Sequence, residues 1–123
     1  MLLRHIAPLS IIFLTTAAFA QATSGEINAV KIEPAAPQTN QVVKVTVTSD
    51  GELQPYCGLR IDFGDGEIRE IKMGDNDGKF PITVDKTYAK PGSYVVKTRG
   101  TTIKMRGRCQ GKAEATVTVA AAV

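Results

Sequence analysis

Three groups of side chains in this sequence have the types and spacing to do chemistry. Asp62, Asp65 and Glu67 cluster around two glycines, and paired carboxylates are what glycoside hydrolysis requires. Asp75-Asn76-Asp77, bounded by Gly74 and Gly78, offers hard oxygen ligands of the kind calcium takes. Further on stand Lys97, Arg99, Lys104, Arg106, Arg108 and Lys112, with Glu114 the one acidic residue after Lys97; clustered cations of this kind attract anionic partners. Histidine chemistry has no material, because the single histidine is His5. A Ser-His or Cys-His nucleophile and a histidine metal site are therefore excluded from the rest of the chain.

Each group also has a plain structural reading. The carboxylates at 62, 65 and 67 fall in a Gly-Asp-Gly turn, where Asp side chains accept backbone N–H bonds. The 75–77 run does not match the alternating ligands and distant glutamate of an EF-hand loop; it reads as a hairpin turn chosen for its backbone preferences. No metal and no cofactor is expected, and no catalytic residue.

Compartment decides how the cysteines are read. Met1 to Ala20 has a short basic start at Arg4 and His5, an apolar run over Ile6 to Ala18, and a small-x-small site at Ala18-Phe19-Ala20. This is the pattern of a cleaved secretory signal, and the run is shorter than the roughly 20 residues that span a bilayer. Cleavage before Gln21 is expected, with a site two residues later nearly as good. The remainder, about 100 residues, is the size of one domain. It buries roughly 65% of its unfolded surface and leaves little interior for a deep catalytic cavity. A secreted or periplasmic address permits Cys57 and Cys109 to pair. The bridge would close a loop of about 50 residues, worth about 4 kcal/mol in the chain-entropy model; free or intermolecular thiols are the alternative.

The elements that must position these groups read as strands. Residues 21–29 are small and polar, a flexible lead-in. Val30-Lys31-Ile32 alternates before Pro34 and Pro37, which predicts a short edge strand and an extended linker. Val43, Val45 and Val47 alternate with polar residues, as do Leu59, Ile61 and Phe63, then Phe80, Ile82 and Val84, and finally Ala113, Ala115, Val117 and Val119. That is the period of half-buried strands. With Ile68 to Met73 and Tyr94 to Lys97 they make about seven short strands punctuated by glycine and proline, and no helical stretch. An all-β antiparallel sandwich follows.

Ile61-Asp62-Phe63-Gly64-Asp65-Gly66 and, some twenty residues later, Thr87-Tyr88-Ala89-Lys90-Pro91-Gly92-Ser93-Tyr94-Val95-Val96 resemble the two signatures of the polycystic kidney disease (PKD) repeat. Both occur in the right order, with a terminal Ala115-Thr116-Val117-Thr118-Val119 strand, over about residues 30–120. The resemblance implies an immunoglobulin-like sandwich of extracellular and cell-surface proteins, commonly a spacer or interaction module without catalysis. The family usually has tryptophan where this chain has Ile61 and histidine where it has Lys86. In this reading Asp62, Phe63, Gly64, Asp65, Gly66, Tyr88, Pro91, Gly92 and Tyr94 determine the fold, Phe63 pointing inward and Tyr88 and Tyr94 packing a corner.

Sandwich topology brings the loops carrying Cys57 and Cys109 to one end, so the disulfide would clip two adjacent loops. Tyr56, the one aromatic free of core duty, then lies beside Arg99, Lys104, Arg106, Arg108 and Lys112. These form the candidate contact surface for an unknown protein or an anionic glycan. No nucleic acid is expected, and the chain is expected to be a monomer or a weak oligomer. One alternative is a solvated hairpin whose cations keep it soluble. A second is an accessory domain associating through the sheet edge near Val30 to Glu33.

Overall fold

The structure, a computed structural model, describes residues 26–50, 57–74, 78–103 and 107–123. Its elements are β1 (Glu26–Glu33), β2 (Val43–Ser49), β3 (Cys57–Asp62), β4 (Ile68–Met73), β5 (Ile82–Lys86), β6 (Gly92–Ile103), the two-residue β7 (Gly107–Arg108) and β8 (Gln110–Val119). The seven longer strands follow the order β4-β3-β6-β8-β1-β2-β5, and β7 pairs with β6. All pairings are antiparallel except β1 with β8, which meet in parallel at Glu26–Gln110 and Ile27–Gly111. That parallel corner joins β5-β2-β1 to β4-β3-β6-β8 and curls the sheet into a half-barrel, an immunoglobulin-like sandwich.

Alternation in sequence becomes alternation in space. Val43, Val45 and Val47 on β2, Leu59 and Ile61 on β3, and Val96 and Val117 on β6 and β8 are fully buried between the layers, while the residues between them face out. Ile61 is fully buried in the core.

Sequence and structure part at the amino-terminal strand. β1 starts at Glu26, so Glu26 to Ala29, assigned to a flexible lead-in on composition, pair with β2 and β8. Ile27 is the reason, since it is 2% exposed and its burial outweighs the small polar residues around it. The proline segment is anchored as well: Thr118 donates to Ala35 and Ala120 to Pro37 through the backbone. In the strand order β1 lies between β8 and β2, with β4 and β5 at the ends. It meets β8 only at Glu26 and Ile27, and among the described residues Val30 to Glu33 pair with β2 alone, so the other side of that stretch has no strand partner.

The expected disulfide joins Cys57 to Cys109 across 52 residues, with their Cα atoms 5.2 Å apart. Its surroundings differ from a clip between two exposed loops. Cys57 is the first residue of β3, and both cysteines are 1% exposed, within the core. The bond passes over β6 at Gly100, which pairs with Leu59. A Cβ on Gly100 would stand 2.0 Å from the carbonyl oxygen of Cys109, so only glycine lets the crossing segment approach. On the same stretch three residues, Cys109 to Gly111, oppose two, Gly100 and Thr101, between the pairs Thr102–Arg108 and Arg99–Lys112. This is a β-bulge, and it turns the chain from β7 into β8.

Candidate functional site

The Gly-Asp-Gly turn is built on its own side chains. Oδ1 of Asp62 accepts from the Gly64 N–H at 2.9 Å, and Oδ1 of Asp65 accepts from the Glu67 N–H at 3.1 Å. Gly64 has φ 84°, and a Cβ there would meet the Val95 carbonyl oxygen at 2.8 Å, so the position demands glycine for conformation and for space. Phe63 is fully buried behind the turn, and the Tyr88 hydroxyl donates to its carbonyl oxygen at 2.9 Å. The Tyr88 and Tyr94 rings stack with centroids 4.5 Å apart, and the Tyr94 hydroxyl donates to the Lys90 carbonyl at 2.7 Å.

Lys86 completes this corner, and the residue pattern alone did not single it out. It is 7% exposed. Its ammonium donates to Oδ2 of Asp65 at 2.7 Å and to Oε2 of Glu67, and lies 5.0 Å from both the Phe63 and Tyr88 ring centroids. Burial pulls the Lys86 pKa down, but the bonds to Asp65 and Glu67 outweigh it and the net shift is upward. For Asp65 burial raises the pKa, and the bonds from Lys86 and the Glu67 N–H overcome it, leaving the carboxyl below its ordinary range. Glu67 is lowered by the bond from Lys86 and then by that from Arg69. Desolvation beside these carboxylates pushes the Tyr88 phenol well above its usual value. A carboxylate pair whose members both serve one buried ammonium has neither a free base nor a protonated acid to offer glycoside hydrolysis.

The cationic end resolves differently. Tyr56, Lys104 and Arg106 lie outside the described residues, as do Asp75 to Asp77 and the signal segment. Arg108 pairs with Thr102 through the backbone. Arg99 and Lys112 are brought together as direct cross-strand partners on β6 and β8, and register adds a residue that sequence reasoning missed. Arg60 of β3 stands opposite Arg99, so Arg60, Arg99 and Lys112 form one row across three strands on the outward face. The next row along the strands is Asp62, Lys97 and Glu114. The two rows line a groove of about 630 Å³, with Thr98 and Ala113 between them. The available signal was the outward phase of Arg60 in its strand, but its partner across the sheet depends on a register that no single strand reveals. Among the described residues no group of three or more His, Cys, Asp or Glu side chains is placed to hold a metal ion, and no helix is long and apolar enough to cross a membrane.

No family model matches the sequence, and no curated protein does. Solved structures that share the fold include the PKD domain of an M14-like peptidase from a Thermoplasmatales archaeon, with TM-score 0.58 and 18% identity over 77% of this chain and 97% of that one. The PKD domain of the human VPS10 domain-containing receptor SorCS2 follows with TM-score 0.54 and 20% identity, covering 80% of this chain and 75% of the other. A CARDB domain from Pyrococcus furiosus, solved in complex with di-metal ions, gives TM-score 0.51 and 14% identity over 80% and 96% of the two chains. The fold is therefore PKD-like.

Proposed function

We propose that this protein is an exported, non-catalytic interaction module of the cell envelope or extracellular space, and that the basic end of the β4-β3-β6-β8 layer is its contact surface. The observation that carries the reading is the Arg60–Arg99–Lys112 row. Among the described residues Arg60 has one ion pair, to Glu70 at 3.7 Å, and Arg99 and Lys112 have none. Export is supported by the disulfide and by the signal pattern of residues 1–20. A module role is supported by the PKD-like fold, which the compared structures carry as domains of a peptidase and of a receptor.

The test is affinity capture on the immobilised, disulfide-bonded protein from envelope and culture-fluid fractions. The pair Arg99→Ser with Lys112→Ser, and separately Arg106→Ser with Arg108→Ser, should abolish capture of a saturable component while leaving the melting temperature nearly unchanged. Undiminished capture by both pairs, or no capture by the parent protein, overturns the reading.

A further inference from the structure

The row that carries the contact surface has an acidic member as well. Strand pairing sets Glu70 of β4 directly opposite Arg60 of β3. Across the layer the row therefore reads Glu70, Arg60, Arg99, Lys112, and Glu70 is the carboxylate that the row itself offers to Arg60.

That carboxylate is held loosely. Nη1 of Arg60 stands 3.7 Å from Oε1 of Glu70, past the distance at which the two could share a hydrogen bond. Every other ion pair among the described residues closes to 2.9 Å or less. The Glu70 side chain is 69% exposed, against 33% for Arg60, and an ion pair so open to water contributes little. On its other side Arg60 stands opposite Arg99, and like charges in that relation repel. Arg60 is thus set between a carboxylate that holds it weakly and a cation that pushes it away. An oxyanion seated between Arg60 and Arg99 would relieve the repulsion and accept charge-assisted bonds from two planar guanidinium forks. To do so it must take Arg60 from Glu70.

We infer that Glu70 is a built-in competitor for the contact surface, pairing with Arg60 in the free protein and yielding it to a partner's oxyanion. Each oxyanion bound at Arg60 is then bound in exchange for Glu70, which lowers the affinity of the row. The inference rests on the reading of this face as the contact surface.

Chemical-shift titrations of the disulfide-bonded protein with citrate and with inorganic pyrophosphate test it. Carboxylates and phosphates share the chemistry that Arg60 would recognise, and the two probes tell them apart. Saturable shifts at Arg60, Arg99 and Lys112 are expected with at least one probe. Glu70→Gln should tighten that binding about threefold to fivefold. In an Arg60→Gln background the same substitution should change affinity by less than about twofold. Glu114→Gln, which alters the charge of the groove from the β8 side, should act equally in both backgrounds.

A general electrostatic effect of Glu70 predicts the same gain with and without Arg60, and that outcome overturns the inference. Binding of neither probe, or a Glu70→Gln variant that binds no tighter than the parent, also overturns it. If either occurs while envelope capture still depends on Arg99 and Lys112, the competitor falls and the contact surface stands. Loss of that dependence as well removes both.

Discussion

The ammonium of Lys86 lies 2.7 Å from Oδ2 of Asp65, inside a corner where the lysine is only 7% exposed. Histidine is the usual residue at this position in the repeat that the sequence resembles. Here a longer side chain, charged at neutral pH, reaches past the Phe63 and Tyr88 rings to tie β5 to the Gly-Asp-Gly turn. Arg69 reinforces the same seam, donating to the Asp85 carbonyl at 3.3 Å and to Glu67 at 2.9 Å, so the free edges β4 and β5 are held by charge where backbone pairing is missing.

This corner sets an acid limit. Asp65 and Glu67 are depressed in the folded state, so their contribution is complete above the unfolded values, about 3.9 and 4.3, and is lost as pH falls through the lower folded values. Lys86 is raised, so its contribution is complete below about 10.4 and is lost as pH rises beyond it. Lys86→Met should cost about 1 to 3 kcal/mol at neutral pH and flatten the fall in melting temperature below pH 5. Identical acid slopes for parent and variant would contradict this account.

Lys86→His should create a switch near neutrality. An imidazolium beside two carboxylates has a raised pKa, so its contribution is full below about pH 6.5 and disappears as pH climbs past the folded value. Thermal melts of the variant between pH 5 and pH 9 should show declining stability over a range where the parent is flat.

Tyr88→Phe leaves the buried Phe63 carbonyl without its hydroxyl donor, a loss of about 1 to 3 kcal/mol. Tyr94→Phe should cost less, because its bond to Lys90 is exposed. Chemical denaturation of the two variants gives the comparison, and an equal or reversed order would count against the packed-corner description.

Reduction of Cys57–Cys109 frees a loop of 52 residues and should lower stability by about 4 kcal/mol in the chain-entropy model. Gly100→Ala should hinder formation of the same bond, since its Cβ would occupy the space of the Cys109 backbone. Counting free thiols after refolding in air separates the two effects: the alanine variant should retain reactive thiols that the parent protein has lost.

The cation row predicts a stability signature of its own. Arg99→Ser relieves repulsion with Arg60 and Lys112, so it should leave the stability unchanged or raise it, by up to about 1 kcal/mol at low salt. Added salt should shrink that difference. A clear loss of stability on removing Arg99 would mean that the row is part of the scaffold.

The all-β class, the number of long strands, the Gly-Asp-Gly turn and the cysteine pair were legible in the sequence, because period-two alternation and glycine and proline punctuation are local properties written in consecutive residues, and two cysteines allow one intramolecular pairing. Ile27 shows where local reading ends: one apolar residue in a small polar stretch carries no period, yet its burial extends β1 to Glu26. Tertiary structure alone decided that Arg60 faces Arg99 and that Lys86 reaches Asp65 and Glu67. Those neighbours are 39 residues apart in the first case, and 21 and 19 in the second. Their meeting depends on strand register and on the curl of the sheet, which are set by packing of the whole core and not by any stretch of chain on its own.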